Sequence, residues 1–304
     1  MRRTLGQVLI GTFGFLAMSA LLLYVYVPGQ VKKTPVNVDT YTYLTGTAAY
    51  LSEASGPVKA LSHTVGDAKQ STGGVVVFQS FTCLMRDPNG TAPNCTRNGD
   101  ATAGSLLINA SDETFATNRR TAMAVPGTGI LPAGGPSYSG LINKWPFDAQ
   151  RTAYPYWDGV LGKAVTAAYA GEETIDGLAT YKYHVLVSNQ PAEVASGIQG
   201  TYSDDKTIWI DPVTGSIINQ QEHQLRTLDT GDNALNLTLA FTDKTVAKNV
   251  ADTKDKVGQL SLLSTAPNVL VVLSLIALVA GVLLLRTGTT GAPSAAHAKE
   301  KVSS

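Results

Sequence analysis

The chain has 304 residues, a mass of 31.9 kDa and equal numbers of basic and acidic residues, so its formal charge is zero. Charged residues make up 15% of the composition, against roughly 25% in an ordinary soluble domain. The zero balance argues against a nucleic-acid-binding protein, which usually carries a basic face. Two cysteines are too few for a cysteine-rich zinc site or a disulfide-dense scaffold.

The first apolar stretch covers residues 5–27 and contains no charged residue. At 1.5 Å of rise per residue, about 20 residues cross the hydrocarbon core, so this stretch predicts a transmembrane helix. A cleaved signal peptide is the alternative, since Arg2 and Arg3 precede the stretch. The apolar run is longer than a signal usually has, and no small-residue cleavage site follows it. We therefore expect residues 1–4 to be a cytoplasmic N-terminus followed by an uncleaved anchor.

The region between the apolar stretches carries the β-branched and aromatic runs that are typical of strands. The clearest runs are residues 74–81, 180–187, 207–210, 216–218 and 234–241. Asp211–Gly215 reads as the turn of a hairpin, because Pro212 presets φ and Gly215 accepts a positive φ. No helical crossover pattern links the runs, which favours an antiparallel sheet or sandwich. Residues 124–136, rich in Gly and Pro, are predicted to form an irregular loop.

Cys83 and Cys95 enclose a short segment with the turn sequence Asp-Pro-Asn-Gly. A metal site needs more ligands than two thiols, and no histidine lies nearby. An oxidising exterior would favour a disulfide between the two cysteines, and this is our prediction.

Residues 267–285 form the second apolar stretch, for which a buried core helix is the alternative. Pro267 suits the first turn of a helix, where an amide hydrogen has no partner. Arg286 follows directly, and basic flanks usually stay in the cytoplasm. With Arg2 and Arg3 at the other end, this predicts both termini inside and residues 28–266 outside as a β-rich domain. The small, polar residues 286–304 are predicted to be a disordered cytoplasmic tail.

The predicted fold class is thus a membrane protein whose mainly antiparallel β extracytoplasmic domain, a sheet or sandwich, is flanked by N- and C-terminal transmembrane α-helices. No catalytic or metal-binding pattern accompanies it. His63, His184 and His223 have no second histidine at helical spacing, and His223 is expected on an exposed strand face. The acidic pairs at 172–173 and 204–205 are predicted to lie in solvated loops. Motifs for nucleophilic catalysis and phosphate binding are missing from the sequence, so we expect no enzyme activity, no metal and no cofactor.

Two of the three tryptophans fall in one aromatic segment. Its large side chains are Trp145, Phe147, Tyr154, Tyr156 and Trp157. Such a segment either fills the core or offers a contact surface for lipid, sugar or a neighbouring subunit. The residues expected to matter for the structure are Cys83, Cys95, Trp145, Trp157, Trp209 and Gly215.

Three motifs in order resemble the porin PorA family of mycolate-containing actinobacteria, formerly a domain of unknown function. They are KWPFDAQRTAYPYWDG (144–159), GEETIDGLATYKYHV (171–185) and WIDPVTGSIINQQEH (209–223). The resemblance covers nearly the whole chain, including the two apolar flanks. It implies an envelope protein that forms a water-filled channel in the outer, mycolic-acid membrane. The predicted topology alone would equally suit a plasma-membrane protein with an exterior domain.

A channel needs a polar lining, and two apolar helices in one monomer cannot enclose water. Conduction of ions and small hydrophilic solutes therefore predicts a homo-oligomer in membrane lipid. Residues 28–262 hold 18 Lys and Arg and 22 Asp and Glu, a formal charge of −4 that predicts a mild cation preference. The alternative hypothesis is a membrane-tethered module that binds or transfers lipid or glycolipid during envelope assembly. This alternative is an analogy to lipid-carrier sheets that curl around an acyl chain.

Overall fold

The computed structural model describes residues 1–51, 53–95, 106–127, 131 and 135–287. These residues belong to two compact units. One unit combines Met1–Val31 with the chain from Gly258 onward, and the other is Lys32–Val257. The predicted disordered tail lies outside the described residues except for its first two positions, which end a helix.

Three helices occur in the described part of the chain: α1 (Arg2–Val25), α2 (Val27–Val31) and α3 (Asp243–Thr287). Two of them, α1 and α3, are long and apolar enough to cross a membrane, as the sequence predicts. The third helix starts much earlier than expected, so that Pro267 lies inside it rather than in its first turn. Thr242 caps this earlier start, because its hydroxyl accepts the amide hydrogen of Thr245 at 3.2 Å.

In the first unit, α1 and the apolar half of α3 touch at small residues. A Cβ built on Gly6 would lie 3.0 Å from Leu285 and 3.1 Å from the carbonyl oxygen of Gly281. Tyr24, near the other end of α1, hydrogen-bonds Asn268. The two contacts join opposite ends of the segments, so the helices run antiparallel. Close approach at glycine is a usual way for membrane helices to associate.

The second unit is built on one sheet of ten antiparallel strands. The strands are β1 (Asp39–Tyr50), β2 (Gly56–Asp67), β3 (Val75–Arg86), β4 (Leu107–Asn118), β5 (Tyr154–Asp158), β6 (Lys163–Ile175), β7 (Leu178–Ala195), β8 (Ile198–Ile210), β9 (Ile217–Leu228) and β10 (Asn233–Phe241). Their order in the sheet is β4-β3-β2-β1-β10-β9-β8-β7-β6-β5. Each strand therefore neighbours the next in sequence, except that β4 and β5 are the edges and β1 pairs with β10.

The sheet curls strongly. Flat strands lie about 4.8 Å apart, so β5 and β8, three positions apart, would be separated by about 14 Å. The hydroxyl of Tyr202 on β8 nevertheless lies 3.1 Å from a carboxylate oxygen of Asp158 on β5. The two side chains meet over one face of the sheet, which we call the inner face. The opposite face is the outer face.

The two edge strands are linked at one end through short irregular segments. Isolated bridges join Thr117 to Ala124, Met123 to Leu141, and Leu141 to Tyr156. Leu141 exchanges hydrogen bonds with β5, donating to Pro155 at 2.8 Å and accepting from Trp157 at 2.7 Å. The curl of the sheet is thus closed by hydrogen bonds around part of its length.

Apolar residues of the inner face form the main cores of this unit. The cluster across β1, β2, β3 and β10 contains Leu44, Ala48, Val58, Ala60, Leu84, Leu235, Leu237 and Leu239. On the outer face, Val250 of α3 packs with Leu178 and Ile218. The predicted antiparallel β domain between two apolar helices is confirmed, although most strands are longer than the sequence runs suggest.

Candidate functional site

A buried ionic cluster lies on the inner face at β8 and β9. The register pairs Lys206 with Glu222, and strand alternation places Asp204 on the same face. The Lys206 ammonium nitrogen is 3.3 Å from Asp204 and 3.4 Å from Glu222. These three side chains are 12%, 0% and 9% exposed, so the charges are largely removed from water. A buried cation between two carboxylates resists separation, because losing one partner leaves an unpaired buried charge.

Asp158 extends this cluster from the edge strand β5. One of its carboxylate oxygens accepts the amide hydrogens of Val160 and Leu161, both at 2.9 Å, and the other accepts the Tyr202 hydroxyl. The turn after β5 therefore fixes the carboxylate in place. Burial raises the pKa of Tyr202 above its ordinary value, so the hydroxyl keeps the proton that it donates.

The Asp204 carboxylate has a different environment. Among the described residues, neither of its oxygens accepts a hydrogen bond, and its contact with Lys206 is ionic. Burial raises the pKa of Asp204 to about 7, with Lys206 opposing the shift and Glu222 adding to it. A pKa in this range means that the charge of the Asp204 carboxylate changes near neutral pH.

The remainder of the inner face, across β1 to β4, is rich in hydroxyl groups. Thr64 and Ser80 face each other at 3.0 Å, and Thr82 donates to Ser62 at 3.3 Å. Glu113 lies half-buried on the same face, and burial raises its pKa. The inner face thus combines an apolar patch, an ionic cluster and a polar, partly open area.

Away from the parts covered by α3 and by the disulfide segment, the outer face is polar, and it carries the three histidines of the domain. His63 pairs with Asp39 at 2.9 Å, His184 with Asp205 at 2.8 Å, and His223 with Asn236 at 3.0 Å. No group of three metal-ligating side chains occurs among the described residues. A membrane barrel needs an outward apolar band, which this face does not provide. The surfaces with the length and apolar character to cross a membrane are those of α1 and α3.

The two acidic pairs lie in strands and not in loops. The acidic pairs were expected in loops, but Glu172 and Glu173 lie in β6, and Asp204 and Asp205 in β8. Because side chains alternate along a strand, Asp204 points to the inner face while Asp205 meets His184 on the outer face. The adjacent acids therefore have opposite environments. His223 lies exposed on β9, as predicted.

The aromatic segment is mostly buried. Trp145 is 0% exposed, and Tyr156 and Trp157 are each 8% exposed. Phe147 and Tyr154 are half-buried, and the Lys144 ammonium group lies 3.8 Å from the Phe147 ring centroid. A role of this segment in contact with lipid or another subunit stays a prediction, and it would rest on the half-buried members.

The predicted hairpin is present, and it explains the position of Trp145. Gly215 has φ of +73°, and its carbonyl accepts the Trp145 amide hydrogen at 2.8 Å. Asp211 closes the turn by accepting the amide and hydroxyl hydrogens of Thr214, both at 2.6 Å. The hairpin between β8 and β9 thus holds the aromatic segment against the end of the sheet.

Cys83 and Cys95 form the predicted disulfide. The segment that it closes lies on the outer face, with Leu61, Phe81 and Met85 beneath it. A cavity of about 340 Å³ lies under this segment, lined among others by Tyr43, Lys59 and Thr242. Lys59 donates to the carbonyl of Ala92 across it. The disulfide is therefore structural, since it holds a cover on one part of the sheet.

Sequence reasoning missed the ionic cluster. Its signal is present in part, because Asp204 and Lys206 are two residues apart in a strand and must share a face. Glu222 joins them only through the register of β8 and β9, and Asp158 only through the curl of the sheet.

Comparison with known proteins gives one family. The chain matches the family described as Porin PorA over residues 5–283. A protein named Porin PorA from Corynebacterium amycolatum is 30% identical to this chain, over 38% of this chain and 30% of that protein. The match thus spans less than one third of that relative's length. A solved structure of a LolA superfamily protein from Nitrosomonas europaea is 10% identical, over 75% of this chain and 91% of that chain, with a TM-score of 0.14.

At that TM-score the LolA match carries no argument about fold or function. The family match, in contrast, covers both apolar helices and the β domain between them. The chain therefore belongs to the Porin PorA family.

Proposed function

We propose that this protein forms water-filled channels for ions and small hydrophilic solutes in a membrane of the cell envelope. Family membership across residues 5–283 is the observation that carries the proposal. The two apolar helices support it, because they expose large side chains such as Phe15, Leu22, Val272 and Ile276 to the surroundings. Surfaces of this kind are stable in lipid and not in water.

The channel is formed by an oligomer in this proposal. Within one chain, α1 and α3 contact each other directly through Gly6 and Gly281, so no water path runs between them. The outer face of the sheet is polar and does not suit lipid. A water-filled path therefore needs several copies, with polar surfaces of the β domain or rearranged helices as the lining.

The path prefers cations. The segment 28–262 has a formal charge of −4, and the polar area of the inner face contains Glu113. Negative groups near a path raise the local cation concentration. Glu113→Gln is expected to reduce the cation preference measured from the reversal potential. Asp205→Asn, on the outer face, is the matched control, and it should leave the cation preference unchanged if the inner face lines the path. An equal effect of both variants would mean that the inner face is not the lining.

The location is the outer, mycolic-acid membrane, with a plasma-membrane anchor as the alternative. The orientation in either membrane has the basic ends, Arg2, Arg3 and Arg286, on one side and the β domain on the other. Envelope fractionation, with the protein followed by antibody, distinguishes the two membranes. Recovery from the cytosol without detergent would contradict both.

Solute flux into liposomes tests the proposal. Full-length protein reconstituted in phospholipid liposomes should raise the rate of arabinose entry, measured as swelling, above that of protein-free liposomes. Chemical cross-linking in the same liposomes should give bands above the monomer. Arabinose entry equal to that of empty liposomes would contradict the channel, and flux with monomer bands alone would contradict the oligomer.

The alternative function is binding or transfer of lipid or glycolipid by the β domain. One observation supports this alternative: the curled sheet encloses an apolar inner patch that includes Leu44, Leu84 and Leu237. Mass spectrometry of lipid extracted from the purified full-length protein tests this idea. Lipid bound inside the domain would need to survive detergent exchange, and its absence after exchange would argue against a carrier.

A further inference from the structure

Basic side chains cluster near the first residues of the second unit. Others lie near the end of the part of α3 that belongs to this unit. Thr34 and Arg119 are joined by two contacts of 2.7 Å, one between backbone groups and one from the Arg119 side chain. Lys32 forms an ion pair with Asp148 at 2.7 Å, and Lys144 contacts Thr34 at 3.4 Å. These contacts bring three short segments, residues 32–34, 119–120 and 144–148, to one place.

We define the basic patch as Lys32, Arg119, Arg120, Lys144 and Lys256. Lys256 belongs to it because it is the last charged residue before the apolar part of α3, as Lys32 is the first after the apolar stretch of α1 and α2. Burial and then Lys256 lower the pKa of Lys144 to about 7, while Asp211 opposes the shift. The nearby acids are Asp148, which pairs with Lys32, the buried Asp211 and the exposed Asp255. Cations therefore prevail here, although the segment 28–262 as a whole is negative.

The charge pattern along both apolar stretches places two members of this patch, Lys32 and Lys256, directly at their ends. Residues 4–31 are free of charged side chains, and the next residue is Lys32. Residues 257–285 are also free of charge, and the preceding residue is Lys256. As helices these stretches would extend about 42 and 44 Å, close to the 40–45 Å of a bilayer with its headgroups. Lys32 and Lys256 are therefore the first charges beyond the bilayer on the side of the β domain.

We propose that the basic patch binds the phosphate groups of anionic phospholipid headgroups. Charge complementarity selects anionic over zwitterionic lipid, and the lengths of the apolar stretches bring Lys32 and Lys256 to the headgroup layer. Arg120 supplies an exposed guanidinium group that suits phosphate oxygens. A bound anion also relieves the repulsion between Lys144 and Lys256. This inference requires that the helices insert in a membrane, but it does not require that the protein conducts solutes. Failure of the channel proposal would therefore leave it unaffected.

Native mass spectrometry of the full-length protein tests the proposal. Mixed micelles would contain equal amounts of dioleoyl phosphatidylglycerol and dioleoyl phosphatidylcholine, with inorganic phosphate added. The wild type should retain phosphatidylglycerol in preference to phosphatidylcholine. Arg120→Gln combined with Lys256→Gln should lower this preference by roughly fivefold or more, since each cation near an anionic surface contributes about that factor.

Lys69→Gln combined with Lys163→Gln is the matched control, because both lysines are exposed and neither belongs to the patch: Lys69 lies in the turn after β2, and Lys163 begins β6. The control should keep the wild-type preference. Lys32→Gln is a further variant that removes a patch cation from another segment, and it should act in the same direction. Equal retention of the two lipids by the wild type, equal loss in the control, or phosphate adducts without lipid would each overturn the proposal.

Discussion

Tyr202 on β8 donates its hydroxyl hydrogen to Asp158 on β5, although two strands separate them in the sheet. The contact shows that the sheet curls, and it ties the edge strand to the centre. Tyr202 is 1% exposed and Asp158 is 4% exposed, so the hydrogen bond is sheltered from water.

Tyr202→Phe should therefore destabilise the protein by roughly 1–3 kcal/mol, because it leaves one carboxylate oxygen of Asp158 buried without its donor. Chemical denaturation in detergent, followed by tryptophan fluorescence, measures the loss. Tyr169→Phe is the control, since its hydroxyl contacts Glu172 at 3.3 Å near solvent. Equal stability of the two variants would argue that the contact to Asp158 adds nothing.

Gly215→Ala should destabilise the protein more than Gly231→Ala. Both glycines have a positive φ, +73° and +88°, so both substitutions strain the backbone. A Cβ on Gly215 would also collide with the carbonyl oxygen of Trp145, whereas nothing lies within 4 Å of a Cβ on Gly231. The difference between the two unfolding free energies measures the contact between the hairpin and the aromatic segment. A difference near zero would contradict the role given to this contact.

Gly6→Leu should weaken the pairing of α1 with α3, at a cost of roughly 1–3 kcal/mol for the overpacked contact. Gly11→Leu is the matched control, because nothing lies within 4 Å of a Cβ at that position. Thermal unfolding in detergent compares the two variants. If the Gly11 variant proved the less stable one, the helix contact described here would be wrong.

Asp204→Asn should change the pH dependence of stability. The folded-state pKa of Asp204 is raised from 3.8 to about 7, so the folded protein holds a proton there that the unfolded chain has released. Stability contributed by this group is therefore lost as pH rises from about 4 to about 7. The asparagine variant has no such titration, so its stability relative to wild type should increase between pH 5 and pH 8.

Denaturation curves of both proteins at pH 5 and pH 8 provide the measurement. The expected gain is on the order of 2–4 kcal/mol, because asparagine avoids the buried charge that Asp204 acquires between the two pH values. A relative stability that stays constant or falls over this interval would contradict the raised pKa.

The sequence predicts much of this fold because local patterns decide it. The β-branched run at Val75 is buried on both faces of its strand, and the alternating run at Leu235–Leu239 is buried on one face. The disulfide follows from two cysteines around a turn. The early start of α3 was missed, because Asp243–Lys256 is polar and hydropathy alone does not mark it. Its signals were the Thr242 cap and the pair of Lys248 with Asp252 at helical spacing.

The ionic cluster and the basic patch depend on long-range geometry. Tyr202 meets Asp158 only because the sheet curls, and Lys32 meets Asp148 across 116 residues of chain. No local pattern contains these distances.

Conductance in a planar bilayer tests the central claim most directly. Full-length protein, added from detergent to a bilayer with a tenfold KCl gradient, should produce discrete current steps whose reversal potential has the sign of K⁺ preference. Absence of steps above the detergent control, with protein shown to be inserted in the bilayer, would contradict the channel itself, and a reversal potential of the opposite sign would contradict its cation preference.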